Sequence, residues 1–293
     1  MTLALSWTAT PSQAQIAAAA ALLAAAAAAD GVDSVSEAAM LRLHHPGTGE
    51  HLLAHDPSGS LVGYAGLEER FGRRSAEFAV HPRHRRRGIG GALLAALLNR
   101  APGELWVWAH GEHPAALRLA QRAGLDRQRE LLQLRRGLAD PVPLRVLPDG
   151  VSLRAFVPGQ DEAEVVRVNN RAFAWHPEQR GWEIGALKMR EAQPWFDPAG
   201  FLLAVDATGQ LLGFHWTKVH ASGVGEVYVI AVDPDAQGSG LGGALIAAGL
   251  AHLRRRRVPE AMLYVESDNA AALRTYQKLG FAPHHVDVEF LRR

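Results

Sequence analysis

The sequence predicts an α/β (α+β) protein built from two tandem copies of one fold, each a mixed, mostly antiparallel sheet flanked by helices. Three observations carry this. The chain has 293 residues, room for about two domains of roughly 100–200 residues. Residues 79–94 read AVHPRHRRRGIGGALL and residues 231–246 read AVDPDAQGSGLGGALI, with Val80 and Val232, Gly88 and Gly240, and Gly90 and Gly242 each 152 apart. Helical and strand patterns also follow one another in the same order around both segments, the signature of a duplicated layered fold. A second landmark repeats 156 residues on: Ala115-Ala116-Leu117-Arg118 with Gly124-Leu125, then Ala271-Ala272-Leu273-Arg274 with Gly280-Phe281.

Each element has a local reason. A helix opens each copy, over 12–29 and 161–172. The first is alanine-rich, and alanine is the best helix former. Short apolar runs then read as strands over 51–54 and 62–67, and over 201–205 and 211–219. A third strand (76–80; 226–232) runs into the glycine-rich turn, and a helix follows the glycines (91–100; 243–256). A strand (105–109; 261–266), a short helix (114–123; 270–279) and a last strand (131–135; 286–291) complete each copy. Pro141, Pro143, Pro148 and Gly150 break any helical period between them, so residues 1–140 and 150–293 are the expected domains.

Composition excludes several classes. Lys+Arg is 31 against Asp+Glu 30, a net charge of +1, without the basic excess of a general nucleic-acid binder. Cysteine is absent, which removes disulfides, thiolate metal sites and an acyl-cysteine intermediate. His44-His45, His110-x-x-His113 and His284-His285 lack the cysteines or clustered carboxylates of a metal site. The N-terminus has no basic segment ahead of its apolar run, and the alanine-rich stretch 16–29 is short for a bilayer span. The expectation is a cytoplasmic protein without a metal, nucleic-acid or membrane partner.

The turn Gln237-Gly238-Ser239-Gly240-Leu241-Gly242-Gly243 joins a strand to an amphipathic helix. Its glycines let a ligand approach the backbone, and the helix N-terminus favours an anion such as a diphosphate. Arg85-Arg86-Arg87-Gly88-Ile89-Gly90-Gly91 repeats it with added positive charge. The spacing is neither the dinucleotide fingerprint nor the phosphate loop that ends in Gly-Lys-Ser/Thr. Taken with Asn269-Ala270-Ala271-Ala272-Leu273-Arg274-Thr275-Tyr276 and Leu279-Gly280-Phe281, the constellation resembles the GCN5-related N-acetyltransferase (GNAT) family. Both copies match, so the resemblance covers nearly the whole chain, more strongly in the second copy.

The resemblance implies that acetyl-CoA is the co-substrate. Its diphosphate would lie on the glycine turn and beside the Asn269–Arg274 segment, and its thioester carbonyl on the amides of Ile230, Ala231 and Val232. Phe78, Ala79 and Val80 would do the same in the first copy. Amide formation from a thioester needs a neutral amine, donors for the oxyanion and an acid for the thiolate. Glu226, six residues before Val232, is the candidate base, acting directly or through water; a paired strand carboxylate is the competing reading. Tyr276 is the candidate acid, with core packing as its alternative. The 152 offset lays Arg74 on Glu226, and the 156 offset lays Trp108 on Tyr264, His113 on Asn269 and Ala120 on Tyr276. The first copy is therefore expected to bind acetyl-CoA without catalysing. Glu77 aligns with Val229 and is expected to point away from the reacting position.

Within the family the chain is most similar to a tandem actinobacterial subgroup. The similarity lies in Arg167-Val168-Asn169-Asn170-Arg171-Ala172-Phe173, His176-Pro177-Glu178-Gln179, Phe214-His215-Trp216-Thr217-Lys218 and Leu263-Tyr264-Val265-Glu266. That subgroup acetylates the cysteinyl amine of a Cys–glucosamine–inositol conjugate. The resemblance implies substrate contacts at Glu37, Glu178, Lys218, Glu226 and Tyr264, and Glu37 would bring the substrate near the domain interface. Two alternatives stay open: an acceptor that is another small amine or a protein N-terminus, and an acyl-CoA sensor without turnover.

Overall fold

The computed structural model describes residues 3–45, 49–142, 145–176 and 179–293. In chain order the elements are β1 (Ala4–Thr8), α1 (Gln13–Asp30), α2 (Glu37–His44), β2 (Glu50–His55), β3 (Leu61–Arg70), β4 (Arg73–Val80), α3 (Ile89–Arg100), β5 (Leu105–Ala109), α4 (Pro114–Arg122) and β6 (Asp126–Gly137). They continue as β7 (Ser152–Ala155), α5 (Glu162–Ala172), α6 (Ile184–Glu191), β8 (Phe201–Val205), β9 (Leu211–Val219), β10 (Gly225–Val232), α7 (Leu241–Arg255), β11 (Glu260–Glu266), α8 (Ala270–Lys278) and β12 (Ala282–Arg292).

Two compact units result: Met1–Leu132 with His285–Arg293, and Gln133–His284. The duplication agrees with the repeat, but the division differs from a cut at residues 139–150. Val288–Arg292 of β12 pair antiparallel with Leu105–Ala109 of β5, so the last strand of the chain finishes the first unit. Gln133–Gly137 of β6 belong to the second unit, next to β11. Strand order is β1-β2-β3-β4-β5-β12 in the first unit and β6-β11-β10-β9-β8-β7 in the second. Each sheet is antiparallel except at β4–β5 and β10–β11, which run parallel. The edge strands β1 and β7, and α6, stand where the sequence offered no strong periodic signal.

Helix α1 starts on a capping box, with Ser12 and Gln15 satisfying each other's backbone amides, and stops at Gly31 with φ 73°. It is long and apolar enough in composition to cross a bilayer. In the unit, however, its Ile16, Ala19, Leu22, Leu23 and Ala26 form a buried stripe against Leu53, Tyr64 and Ala79 of the sheet. The opposite face of that sheet packs on α3 through Leu93, Leu94 and Leu97. In the second unit an aromatic stack fills the α5–α6 face. Phe201 lies parallel to Trp216 at 4.4 Å and to Phe156 at 4.5 Å. On the other face α7 approaches so closely that Gly249 lies directly on the buried ring of His215.

Candidate active site

In both units the third long strand ends in a single 3-10 turn and then a glycine in the left-handed region, Gly88 at φ 82° and Gly240 at φ 87°. Helices α3 and α7 begin there. A glycine supplies no capping side chain, so the helix entry keeps amides and the positive end of the dipole for an anion. Gln237 donates from Nε2 to the Val232 carbonyl at 3.2 Å, and Arg85 donates from Nε to the Val80 carbonyl at the same distance. The two residues brace equivalent turns. The tip of Arg85 is taken up by a bidentate pair with Asp30 at 2.6 and 2.7 Å, while Arg86 and Arg87 are exposed. Asn269 caps α8 by accepting from the Ala272 amide at 3.1 Å, and His113 caps α4 through the Ala115 amide at the same distance.

The parallel pairing of β10 with β11 covers Gly225–Ala261 and Glu226–Met262. Ile230, Ala231 and Val232 lie beyond its last pair, on the stretch expected to receive a thioester. In the first unit the pairs are Ser75–Trp106 and Ala76–Val107, and Phe78, Ala79 and Val80 lie beyond them.

Glu226 is buried and pairs across the β9–β10 ladder with Lys218, which is also buried. The ladder slips one residue between Val227 and Val229, so Tyr228 is a β-bulge. The bulge puts Glu226 on the same face as Val229, Ala231 and Trp216, toward α5 and α6. His220 Nε2 donates to Glu226 Oε2 at 2.7 Å. Lys218 Nζ lies 4.8 Å from the ring centre of Trp195 and 5.2 Å from that of Tyr228. This is a cation held against two aromatic faces. Arg190 donates to the Tyr228 hydroxyl at 2.7 Å. Tyr264 on β11 accepts from Gln133 Nε2 at 2.8 Å. Burial pushes the Tyr276 hydroxyl up to about 12, so it holds its proton at neutral pH, and its ring packs 5.9 Å from that of Phe281.

Lys218, Glu226, Tyr264 and Tyr276 thus stand on β9, β10, β11 and α8 of one unit. Glu37 opens α2 in the other unit, and Glu178 lies outside the described residues. His220, Trp195, Tyr228 and Arg190 join the site without a role having been assigned to them from sequence. A histidine six residues ahead of the glutamate, across a hairpin turn, was the available signal for His220.

The bulge also corrects the comparison between copies. Lys218 corresponds to Glu68, because Leu61-Val62-Gly63-Tyr64 and Leu211-Leu212-Gly213-Phe214 lie 150 apart. Ser75 pairs with Glu68 and with Trp106, as Glu226 pairs with Lys218 and with Met262. The counterpart of Glu226 is therefore Ser75, not Arg74. Glu77 does fall on Val229, but without a bulge it shares the face of Ser75 rather than turning away.

Glu77 is fully engaged there. It accepts from the Ser36 hydroxyl at 2.7 Å and from His110 Nε2 at 2.9 Å, and His110 Nδ1 lies 3.0 Å from Asp287. Asp287 also accepts from the Gly111 amide at 2.8 Å. Burial alone would lower the His110 value; its bonds to Asp287 and Glu77 outweigh it and raise the imidazole to about 10. Burial likewise opposes ionisation of Glu77, and His110, Arg42 and Ser36 reverse that, holding the carboxyl at about 2. The first unit therefore holds a carboxylate–imidazolium–carboxylate chain in which Glu77 is engaged by Ser36 and His110. Among the described residues no group of three or more histidine or acidic side chains is placed to hold a metal.

Comparison with known proteins agrees with this geometry. The acetyltransferase (GNAT) family model matches residues 21–125 and 168–281. A mycothiol acetyltransferase of Saccharopolyspora erythraea is 50% identical, covering 90% of this chain and 97% of its own. One from Nocardia farcinica is 54% identical, covering 89% of each chain. A tandem GNAT protein from the clavulanic acid biosynthesis pathway has the same fold, with a TM-score of 0.75 at 21% identity over 99% of this chain and 98% of that one. Two family matches on two folded units, each with its glycine turn at the end of a parting strand pair, place the chain: it belongs to the acetyltransferase (GNAT) family, on the branch of its mycothiol acetyltransferase relatives.

Proposed function

We propose that the second unit transfers an acetyl group from acetyl-CoA to the cysteinyl amine of a Cys–glucosamine–inositol conjugate, the reaction that completes mycothiol. The observation that carries this is the Glu226 carboxylate, buried, bonded to His220 and opposite Lys218 in the β9–β10 ladder, at the last residue pair before β10 and β11 part. Acetyl-CoA supplies the activated thioester. The turn 237–243 and the α7 N-terminus suit its diphosphate, because Gly240 leaves the helix entry open to an anion. Glu226 takes the proton from the attacking amine, directly or through water. The Ile230–Val232 amides stabilise the oxyanion while the C–N bond forms. Tyr276 gives its proton to the departing thiolate as the C–S bond breaks. Lys218 and Tyr264 contact the sugar and inositol hydroxyls of the acceptor.

The first unit is non-catalytic in this reading. Ser75 replaces the base, Ala120 replaces the acid, and Glu77 is tied to His110. Its own turn holds a second CoA thioester. The protein works as a cytoplasmic monomer. Purified protein with acetyl-CoA should release free CoA in step with acetylation of the cysteinyl conjugate, and much more slowly with simple amines, polyamines or peptide N-termini. No acetylation of the conjugate, or faster turnover of another amine, overturns the reading. Binding without turnover of any amine would identify a sensor instead.

A further inference from the structure

The first unit holds a half-open cavity of about 930 Å³. One end lies at the diphosphate turn, against Arg86, Gly88 and Gly90. The other reaches past Phe78 into the core, where Leu94, Val107, Ala120, Leu125 and Phe290 line it. All five of those inner residues are nearly inaccessible from outside: Leu94 is 3% exposed, Val107 4%, Ala120 4%, Leu125 8% and Phe290 6%.

This apolar end coincides with a difference between the copies. The Leu125 amide donates to the Ala120 carbonyl at 3.0 Å, and the Phe281 amide donates to the Tyr276 carbonyl at 3.0 Å. Ala120 and Leu125 therefore stand where the second unit has Tyr276 and Phe281, whose rings pack together 5.9 Å apart. The first unit lacks the phenol that would donate to a thiolate, and the space of that phenol is open to the cavity. An apolar void of ring size stays dry and takes up an apolar guest of about six carbons.

We propose that the first unit is a binding site for acyl-CoA thioesters whose acyl group is longer than acetyl, about four to six carbons, with the chain lodged between Ala120, Leu125 and Phe290. This rests on the reading that the turn 85–91 holds a CoA diphosphate, and deepens it by naming the acyl class. Each methylene buried in a dry apolar pocket strengthens binding about fourfold, so butyryl-CoA should bind this site about 15-fold more tightly than acetyl-CoA. The second unit, closed by Tyr276, should not share this preference.

Native mass spectrometry and calorimetry on the full chain, with CoA, acetyl-, butyryl- and hexanoyl-CoA, test it. The expected result is a site that prefers butyryl- and hexanoyl-CoA over acetyl-CoA. Ala120→Tyr should abolish that preference, and Leu125→Phe should weaken it, while the other site is unchanged. Ala120→Leu is a milder second filling if the tyrosine disturbs α4, with a melting curve as the folding control. Two acetyl-CoA bound per chain with no preference for longer chains overturns the proposal, as does a preference that survives filling at Ala120. One CoA species per chain, unaffected by Gly88→Asp, would instead overturn the prior reading that the first turn holds CoA.

Discussion

Replacing His110 by alanine probes the buried charge chain of the first unit. The imidazole lies between Glu77 at 2.9 Å and Asp287 at 3.0 Å. Raising it from its ordinary 6.5 to about 10 corresponds to roughly 5 kcal/mol of folded-state stabilisation. Removing it leaves two buried carboxylates facing each other, a loss of about 3–5 kcal/mol. Because the folded value lies above the unfolded one, the stabilisation is complete below pH 6.5 and fades as pH rises toward 10. Glu77 has the opposite sense: its folded value, about 2, lies below its ordinary 4.5, so its share is present above 4.5 and lost as pH falls through 2. Both describe one network and are not added. In calorimetry at about pH 6, His110→Ala should lower the melting temperature of the first unit by roughly 10–15 °C. At about pH 9.5 the difference should shrink. A wild-type melt that does not move between these pH values, with a His110→Ala penalty below about 1 kcal/mol, would refute the charge assignment.

Glu226→Gln keeps the shape and the His220 contact but removes the base. It should lower kcat by about 10²–10⁴-fold with acetyl-CoA affinity retained, read by steady-state kinetics and calorimetry. Tyr276→Phe should lower kcat by about 10²-fold or more and leave the acceptor KM nearly unchanged. Gly249→Ala would drive a methyl into the buried His215 ring, and should destabilise the second unit by about 1–3 kcal/mol in a urea titration. Ser12→Ala removes the α1 cap and should lower stability by about 1 kcal/mol in the same assay.

Much of this was legible because duplication fixes positions twice. The paired turns, the helices behind them and the capping pair Asn269 and His113 all sit where the offsets put them. The bulge was not legible. One extra residue at Tyr228 keeps strand character on both sides, so a constant 152 offset runs across it unnoticed and assigns Arg74 to a place that Ser75 holds. The same slip hid the face of Glu77. The last strand was recognised in each copy, but not which sheet it joins, since 286–291 is as apolar as any other finishing strand and its partner is set by tertiary pairing. His220 escaped because a hairpin brings it to Glu226, and no helical or strand period links the two.

The placement of β12 has a consequence for how the chain is made. Strand β5 at Leu105–Ala109 finds its antiparallel neighbour in Val288–Arg292, about 180 residues later. During synthesis the first unit therefore emerges with an open sheet edge and an unfinished core, and only completion of the C-terminus supplies Val288 and Phe290 to it. Loop closure over that distance is slow, and an exposed edge invites misassociation meanwhile. A fragment ending near residue 140 inherits the unpaired edge permanently. Loss of the last nine residues, His285–Arg293, should accordingly damage the beginning of the protein first.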